Sequence, residues 1–348
     1  MKGFKTSGQP LFDIAPFVPY SRNTDESGRD TMHDRGQTRP ASSLKAKLPM
    51  IKLFLAPVIW GGALTAGRIV SAELPAFTTS CIRFIIASLI MIPALWMKEK
   101  RFPKPTKQDL VWIFLLSLVG VVMFNALLFT GLKTITAVRS SVMLAFTPAV
   151  VSIIAFVLFR ERITLMVGLG IIAATIGAVL TITNGDIAGI IESGIAIGDL
   201  YMLGAVVAWA AYSIIIKSAM SNLSPLALLA YGSVMGVAIL IPITFFEHSW
   251  SAVPTLSPQA IWSLLYLSIG AAGLAYLWYY EGIAVVGSSK ASVFLNVEPV
   301  AAIFIGVVVL GETLTVIIAM GAILVIGGLL LTNYRPRKNS VLKNRDRG

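Results

Sequence analysis

Charge is what this sequence has least of. Asp, Glu, Lys and Arg make up 13% of its 348 residues, about half the usual share for a soluble globular domain. A water-facing surface around an ordinary core is therefore excluded. A single cysteine, Cys81, excludes an intrachain disulfide and a cysteine metal site. Two histidines, His33 and His248, stand far apart in polar segments, which argues against zinc and histidine chemistry. No glycine-rich loop is followed by Lys-Ser/Thr, so no ATP site and no cofactor are expected. The glycine-rich stretches "GLGIIAATIG" and "MGAILVIGG" read instead as helix faces that pack closely through small residues.

Apolar length is what is present. Mean hydropathy is +0.81, and apolar windows of about twenty residues, enough for a helix to cross a bilayer, recur along the chain. A β-barrel would show short alternating segments instead. The spacing predicts an all-α membrane protein of ten spans: 51–70, 75–97, 110–132, 138–159, 164–183, 198–217, 225–246, 258–281, 291–310 and 314–333. Residues 1–48 are polar, without a signal-peptide pattern, and read as a disordered tail; translation from Met50 is the alternative. Residues 334–348 read as a basic tail. Of the 28 Lys and Arg, 24 fall on one side of this topology, Lys52 at the mouth of the first span included. The net charge of +11 thus reads as a topology signal rather than a nucleic-acid footprint. By the positive-inside rule both termini are cytoplasmic, in an inner (plasma) membrane.

The chain also matches itself. Shifted by 151 residues, "GLKTITAVRSSVMLAFTPAVVSIIAFVLFRERIT" from Gly131 meets "GIAVVGSSKASVFLNVEPVAAIFIGVVVLGETLT" from Gly282. Ser141 meets Ser292, Pro148 meets Pro299, Glu161 meets Glu312, and Gly170 and Gly177 meet Gly321 and Gly328. Sixteen of the 66 positions from Leu116 are identical. At a shift of 149, Trp60 falls on Trp209 and Arg68 on Lys217. Aligned Pro, Glu, Gly and Trp mark a duplication rather than shared helix composition. Each copy has five spans, an odd number, so the second inserts inverted. Inverted repeats are a transporter architecture, with the substrate near the midplane beside interrupted helices.

The two Pro-to-Glu repeats, the run "YYEGIAVVGSSKASVFLNVEPV" and the closing "LGETLT" resemble the ten-span EamA branch of the drug/metabolite transporter superfamily. The resemblance covers about residues 51–333, as one EamA-like repeat over 49–183 and a second over 198–333. It implies a carrier with alternating access for a small-molecule substrate, an amino acid or related amphipathic solute, often exported.

Glu298 stands about eight residues into the ninth span. A charge at that depth costs roughly 2.5–3.5 kcal/mol on insertion scales, so it must face the bundle interior and pair or protonate. Pro299 leaves the Leu295 carbonyl without its helical donor, and Pro148 does the same to Leu144. Kinked, broken helices lining a cavity are expected in both halves. Glu298, with Asn296, is a candidate substrate contact or proton-coupling carboxyl; the alternative is a neutral Glu298 bonded to a neighbouring helix. Tyr276, aligned with Asn125, and the mid-span aromatics Trp60, Trp209 and Tyr212 are candidate lining residues, with core packing as the alternative for the two tryptophans and Tyr212. Trp278, Tyr279 and Tyr280 read as interfacial. Arg83 reads as a structural polar anchor, or as a partner of Glu298 if packing brings the two together. Glu161 and Glu312 read as caps of the helices that follow them, beginning at Thr164 and Thr315.

Two other classes compete. "IGDL" at Asp199 faintly resembles the Gly-Asp of intramembrane aspartyl proteases, but the Tyr-Asp partner is missing and Asp199 reads as outside the core. A receptor or scaffold lacks a sizeable soluble domain to signal through.

Overall fold

Apolar runs of this length satisfy their backbone in hydrocarbon only as helices, and every regular element among the described residues is helical. The computed structural model describes residues 43–159, 164–186, 195–219, 223–248, 250–286, 291 and 294–332. In chain order the α-helices are α1 (Ser43–Ser71), α2 (Ala76–Glu99), α3 (Lys107–Leu116), α4 (Phe124–Leu132), α5 (Ala137–Leu144), α6 (Thr147–Phe159) and α7 (Leu165–Thr183). The second copy supplies α8 (Ile197–Ala219), α9 (Pro225–Glu247), α10 (Pro258–Leu265), α11 (Ala275–Val286), α12 (Val297–Leu310) and α13 (Val316–Thr332). Eight continuous helical stretches have the length and apolarity to cross a membrane, and α12 and α13 are shorter apolar helices. The chain is an all-α membrane protein of ten spans in two inverted five-helix repeats.

Large apolar side chains on the outside confirm the solvent. Leu89 is 71% exposed, Leu165 75% and Val316 76%, a surface that water does not tolerate over a whole bundle. Polar side chains such as Ser117, Asn125 and Asp199 are buried inside.

Two contacts display the inverted symmetry. Helices α7 and α13 pack along each other. A Cβ on Gly170 would come 2.7 Å from the Gly328 carbonyl oxygen, and one on Gly177 2.5 Å from that of Gly321. Only glycine lets the backbones approach this closely. Helices α2 and α9 cap each other. Glu99, the last residue of α2, accepts the hydroxyl of Ser224, the N-cap of α9. Glu247, the last residue of α9, accepts the amides of Phe77 (3.3 Å) and Thr78 (2.9 Å) in the first turn of α2, and the Thr78 hydroxyl (2.7 Å). Each carboxylate meets the positive end of the antiparallel partner.

Other ends follow local rules. Thr106 and Asp109 form a capping box at α3. Ser224 and Ser257 each cap a helix whose first residue is proline. Glu73, in the turn after α1, accepts the hydroxyl and amide (2.8 Å) of Ser257. Those bonds, the hydroxyl first, hold its carboxyl below its ordinary pKa of 4.5.

One boundary corrects the expected tail. Residues 43–48 belong to α1, because Leu44 to Leu48 are good helix formers running into the span. The remaining tail, residues 1–42, and the C-terminal stretch 333–348 lie outside the described residues.

A carboxyl at the break of the ninth span

The fourth span breaks where Pro148 predicts. Helix α5 stops at Leu144, a turn follows, and α6 starts at Thr147. The Leu144 carbonyl that Pro148 cannot serve takes the Thr147 hydroxyl at 2.6 Å. In the ninth span a turn at 295–296 precedes α12, and the Leu295 carbonyl takes the Glu298 amide at 3.1 Å. Glu298 thus sits in the first turn of a new helix, at its positive end. The ion pairs among the described residues do not include its carboxyl. Asn296, the N-cap position, has a buried side-chain oxygen without a hydrogen-bond partner.

Helix α1 lies directly against this turn. A Cβ on Gly61 would stand 2.8 Å from the Glu298 carbonyl oxygen and 2.7 Å from the Ala302 nitrogen. The neighbouring Trp60 then reaches α11, its ring edge-on to Tyr276 (centroids 5.0 Å apart) and to Tyr279 (5.4 Å). Tyr279, expected at the interface, is therefore a member of the central cluster: one turn beyond Tyr276 it shares that residue's face.

Spans three and eight contain a feature that sequence periodicity does not disclose. Their centres are π-helical, over Ser117–Met123 and Tyr266–Leu274, equivalent stretches in the two copies. A π-helix misaligns carbonyls from their usual donors. Asn125 Nδ2 donates to the Gly120 and Val121 carbonyls at 2.9 and 3.0 Å. In the other copy Trp60 Nε1 donates to Ala271, the counterpart of Gly120, at 2.9 Å. The shared mark in sequence is Ser117 aligned with Ser268, too slight to predict a π-turn.

Arg83 does not pair with Glu298. Its Nη1 donates to Asn125 Oδ1 at 2.8 Å, and its guanidinium lies 5.4 Å from the Phe84 ring centroid and 6.0 Å from that of Phe129. Trp209 and Tyr212 form a second cluster on α8: their rings stack at 5.1 Å, and Phe124 meets Trp209 at 4.7 Å. Tyr212 packs flat on Gly120, whose Cβ would come 2.4 Å from the ring. Gly120 and Asn125 therefore link the Trp209 and Tyr212 cluster to Arg83. The structure brings together Trp60, Tyr276 and Tyr279 beside the Glu298 turn, Trp209 with Tyr212 and Phe124, and Arg83 with Asn125. Two open recesses lie at the ends of the bundle, one lined by Arg101, Phe102 and Lys104 and one by Ile69, Trp262 and Leu310; neither includes Glu298.

Two expectations need correction. Glu312 does not cap the helix after it. It accepts the Ala137 and Val138 amides, each at 2.8 Å, at the start of α5 in the other copy, and pairs with Arg68 Nε at 3.3 Å. Helix α13 takes its cap from Thr315, whose hydroxyl accepts the Ile318 amide at 3.2 Å. Gly311, in the left-handed conformation, ends α12 and turns the following carboxylate back towards α5. The equivalent Glu161 lies outside the described residues, as does the Tyr280 side chain. Asp199 is fully buried rather than peripheral, and its carboxylate is held by Arg139 Nη2 at 2.6 Å. The same Arg139 nitrogen donates to the Ile182 carbonyl, so Asp199 closes a joint between spans four, five and six.

Comparison with known proteins places this arrangement. The chain is 29% identical over 291 residues to the uncharacterized transporter YetK of Bacillus subtilis (strain 168), covering 83% of this chain and 87% of that one. It is 31% identical over 249 residues to YyaM, an uncharacterized transporter of the same organism, covering 71% and 81%. One solved crystal structure, 17% identical, superposes with a TM-score of 0.54 over 82% of this chain and 97% of its own, a likeness of fold. The profile of the EamA-like transporter family matches residues 47–183 and 196–334, once for each inverted copy. The chain belongs to the EamA-like transporter family.

Proposed function

We propose that this membrane transporter is a secondary-active carrier, not an enzyme, that moves an amino acid or related amphipathic solute outward by alternating access. The basic termini and the Lys52 end of the bundle face the cytoplasm. The observation that carries the reading is Glu298. A carboxyl in the first turn of a broken helix, outside every ion pair of the described residues, is costly to hold in a membrane unless it has work there. Trp60, Tyr276 and Tyr279 give it an amphipathic wall. The inverted copies supply two halves that can rock against each other. Glu298 exchanges a proton with the side to which the site opens, which links solute movement to the proton gradient.

The test is transport into proteoliposomes under an imposed pH gradient. Wild-type protein accumulates the solute above its equilibrium level. Glu298→Gln binds the solute more weakly but measurably, read by thermal shift, and no longer responds to the gradient. Gradient-driven uptake that survives the substitution removes Glu298 from the coupling step.

A further inference from the structure

Arg83 is dressed poorly for a cation at mid-membrane. Its guanidinium has five N–H donors, yet among the described residues its one hydrogen bond is to the neutral Asn125 Oδ1. Its Nε is buried and has no hydrogen-bond partner. The ion pairs of the described residues are Lys52–Glu281, Arg68–Glu312 and Arg139–Asp199, so Arg83 has no carboxylate. Asn125 is itself held firmly, its amide fixed on the Gly120 and Val121 carbonyls. That leaves the amide oxygen to orient the guanidinium without neutralising it.

The fold does not demand this cation. At the register that aligns Glu99 with Glu247, Arg83 falls on Tyr231, whose hydroxyl donates to the Pro103 carbonyl at 2.7 Å. The same helix is thus built in the other copy with a neutral side chain. Glu298 is likewise unmatched, with Thr147 as its counterpart. Two opposite charges, each present in one copy, thus stand outside the ion pairs of the described residues.

We propose that Arg83, oriented by Asn125, receives the carboxylate of the transported solute, while Glu298 serves its cationic end. This rests on the carrier reading above and narrows it: the solute carries an anionic group, and Arg83 sets that requirement. A guanidinium with a free Nε offers the planar pair of donors that a carboxylate accepts.

The probes are the twenty proteinogenic L-amino acids, tested by thermal shift on the purified full-length protein at millimolar concentration. The strongest stabiliser is then compared with its decarboxylated amine and its deaminated acid. Removing the carboxylate should weaken binding to wild-type protein about tenfold to hundredfold, the worth of one or two charge-assisted hydrogen bonds. In Arg83→Met, which removes a membrane-depth charge, the gap between the amino acid and its amine should close. Arg83→Lys keeps the charge without the fork and should retain part of the gap; this variant decides the matter if the Met variant does not fold. Stabilisation by none of the twenty, an amine that matches its parent amino acid, or a gap unchanged in either variant overturns the proposal. Binding is read without flux, so the two readings fail separately. Arg83-dependent binding without transport contradicts the carrier alone. Saturable transport of a solute without an anionic group contradicts the Arg83 assignment alone.

Discussion

Replacing Glu312 with glutamine should loosen the joint between the two copies by a calculable amount. Its two oxygens accept the Ala137 and Val138 amides, each at 2.8 Å, and it pairs with Arg68; its side chain is 6% exposed. In Glu312→Gln the remaining oxygen keeps one amide satisfied, while the new NH2 faces the other amide donor to donor. The loss is one hydrogen bond to a charged group, about 1.5–3 kcal/mol. The Arg68 pair adds roughly 0–1 kcal/mol, because that side chain reaches water and is screened. Together these lower the unfolding temperature of the purified protein by roughly 2–6 °C. Glu281→Gln is the matched control. Its pair with Lys52 has the same kind of partner, but the side chains are 48% and 27% exposed, and its loss should shift unfolding by no more than about 2 °C. Equal shifts for the two substitutions would refute the claim that Glu312 holds the start of α5.

Trp60→Phe keeps the ring and deletes the indole donor to the Ala271 carbonyl; the orphaned carbonyl should cost about 1–3 kcal/mol in chemical denaturation. Gly177→Ala forces a methyl to 2.5 Å from the Gly321 carbonyl and should cost about 1–3 kcal/mol. Gly327→Ala meets nothing within 4 Å and should be neutral or slightly stabilising in the same assay. The Glu73 carboxyl has a folded pKa below its ordinary 4.5, so its contribution is present above that value and is lost as pH falls through the lower folded value. Hydrogen-exchange protection of the Ser257 amide should fall across that acid window, and Glu73→Gln should abolish the dependence.

Most of the architecture is legible because membrane helices obey length and composition. The broken fourth and ninth spans follow from Pro148 and Pro299, which remove a donor whatever surrounds them. The inverted copies follow from an odd span count. What escaped depends on tertiary packing. The carboxylate of Glu312 and the amide of Ala137 are 175 residues apart, so local sequence offers only the next helix as the capping target. Tyr279 looks interfacial by depth alone, and only the seating of Gly61 on the Glu298 turn brings Trp60 to it. The π-helical centres leave no periodic trace, since one wide turn shifts register without changing composition. Arg83 and Asn125, on different spans, were both visible as polar residues; their hydrogen bond was not.

The most direct test of the account is counterflow. Proteoliposomes containing the full-length protein are loaded with an unlabelled amino acid that stabilises it and diluted into the labelled form at low concentration. A carrier with one site alternating between the two faces accumulates label transiently, with an initial rate that saturates. Linear, non-saturating flux without that overshoot would contradict a carrier built around Glu298.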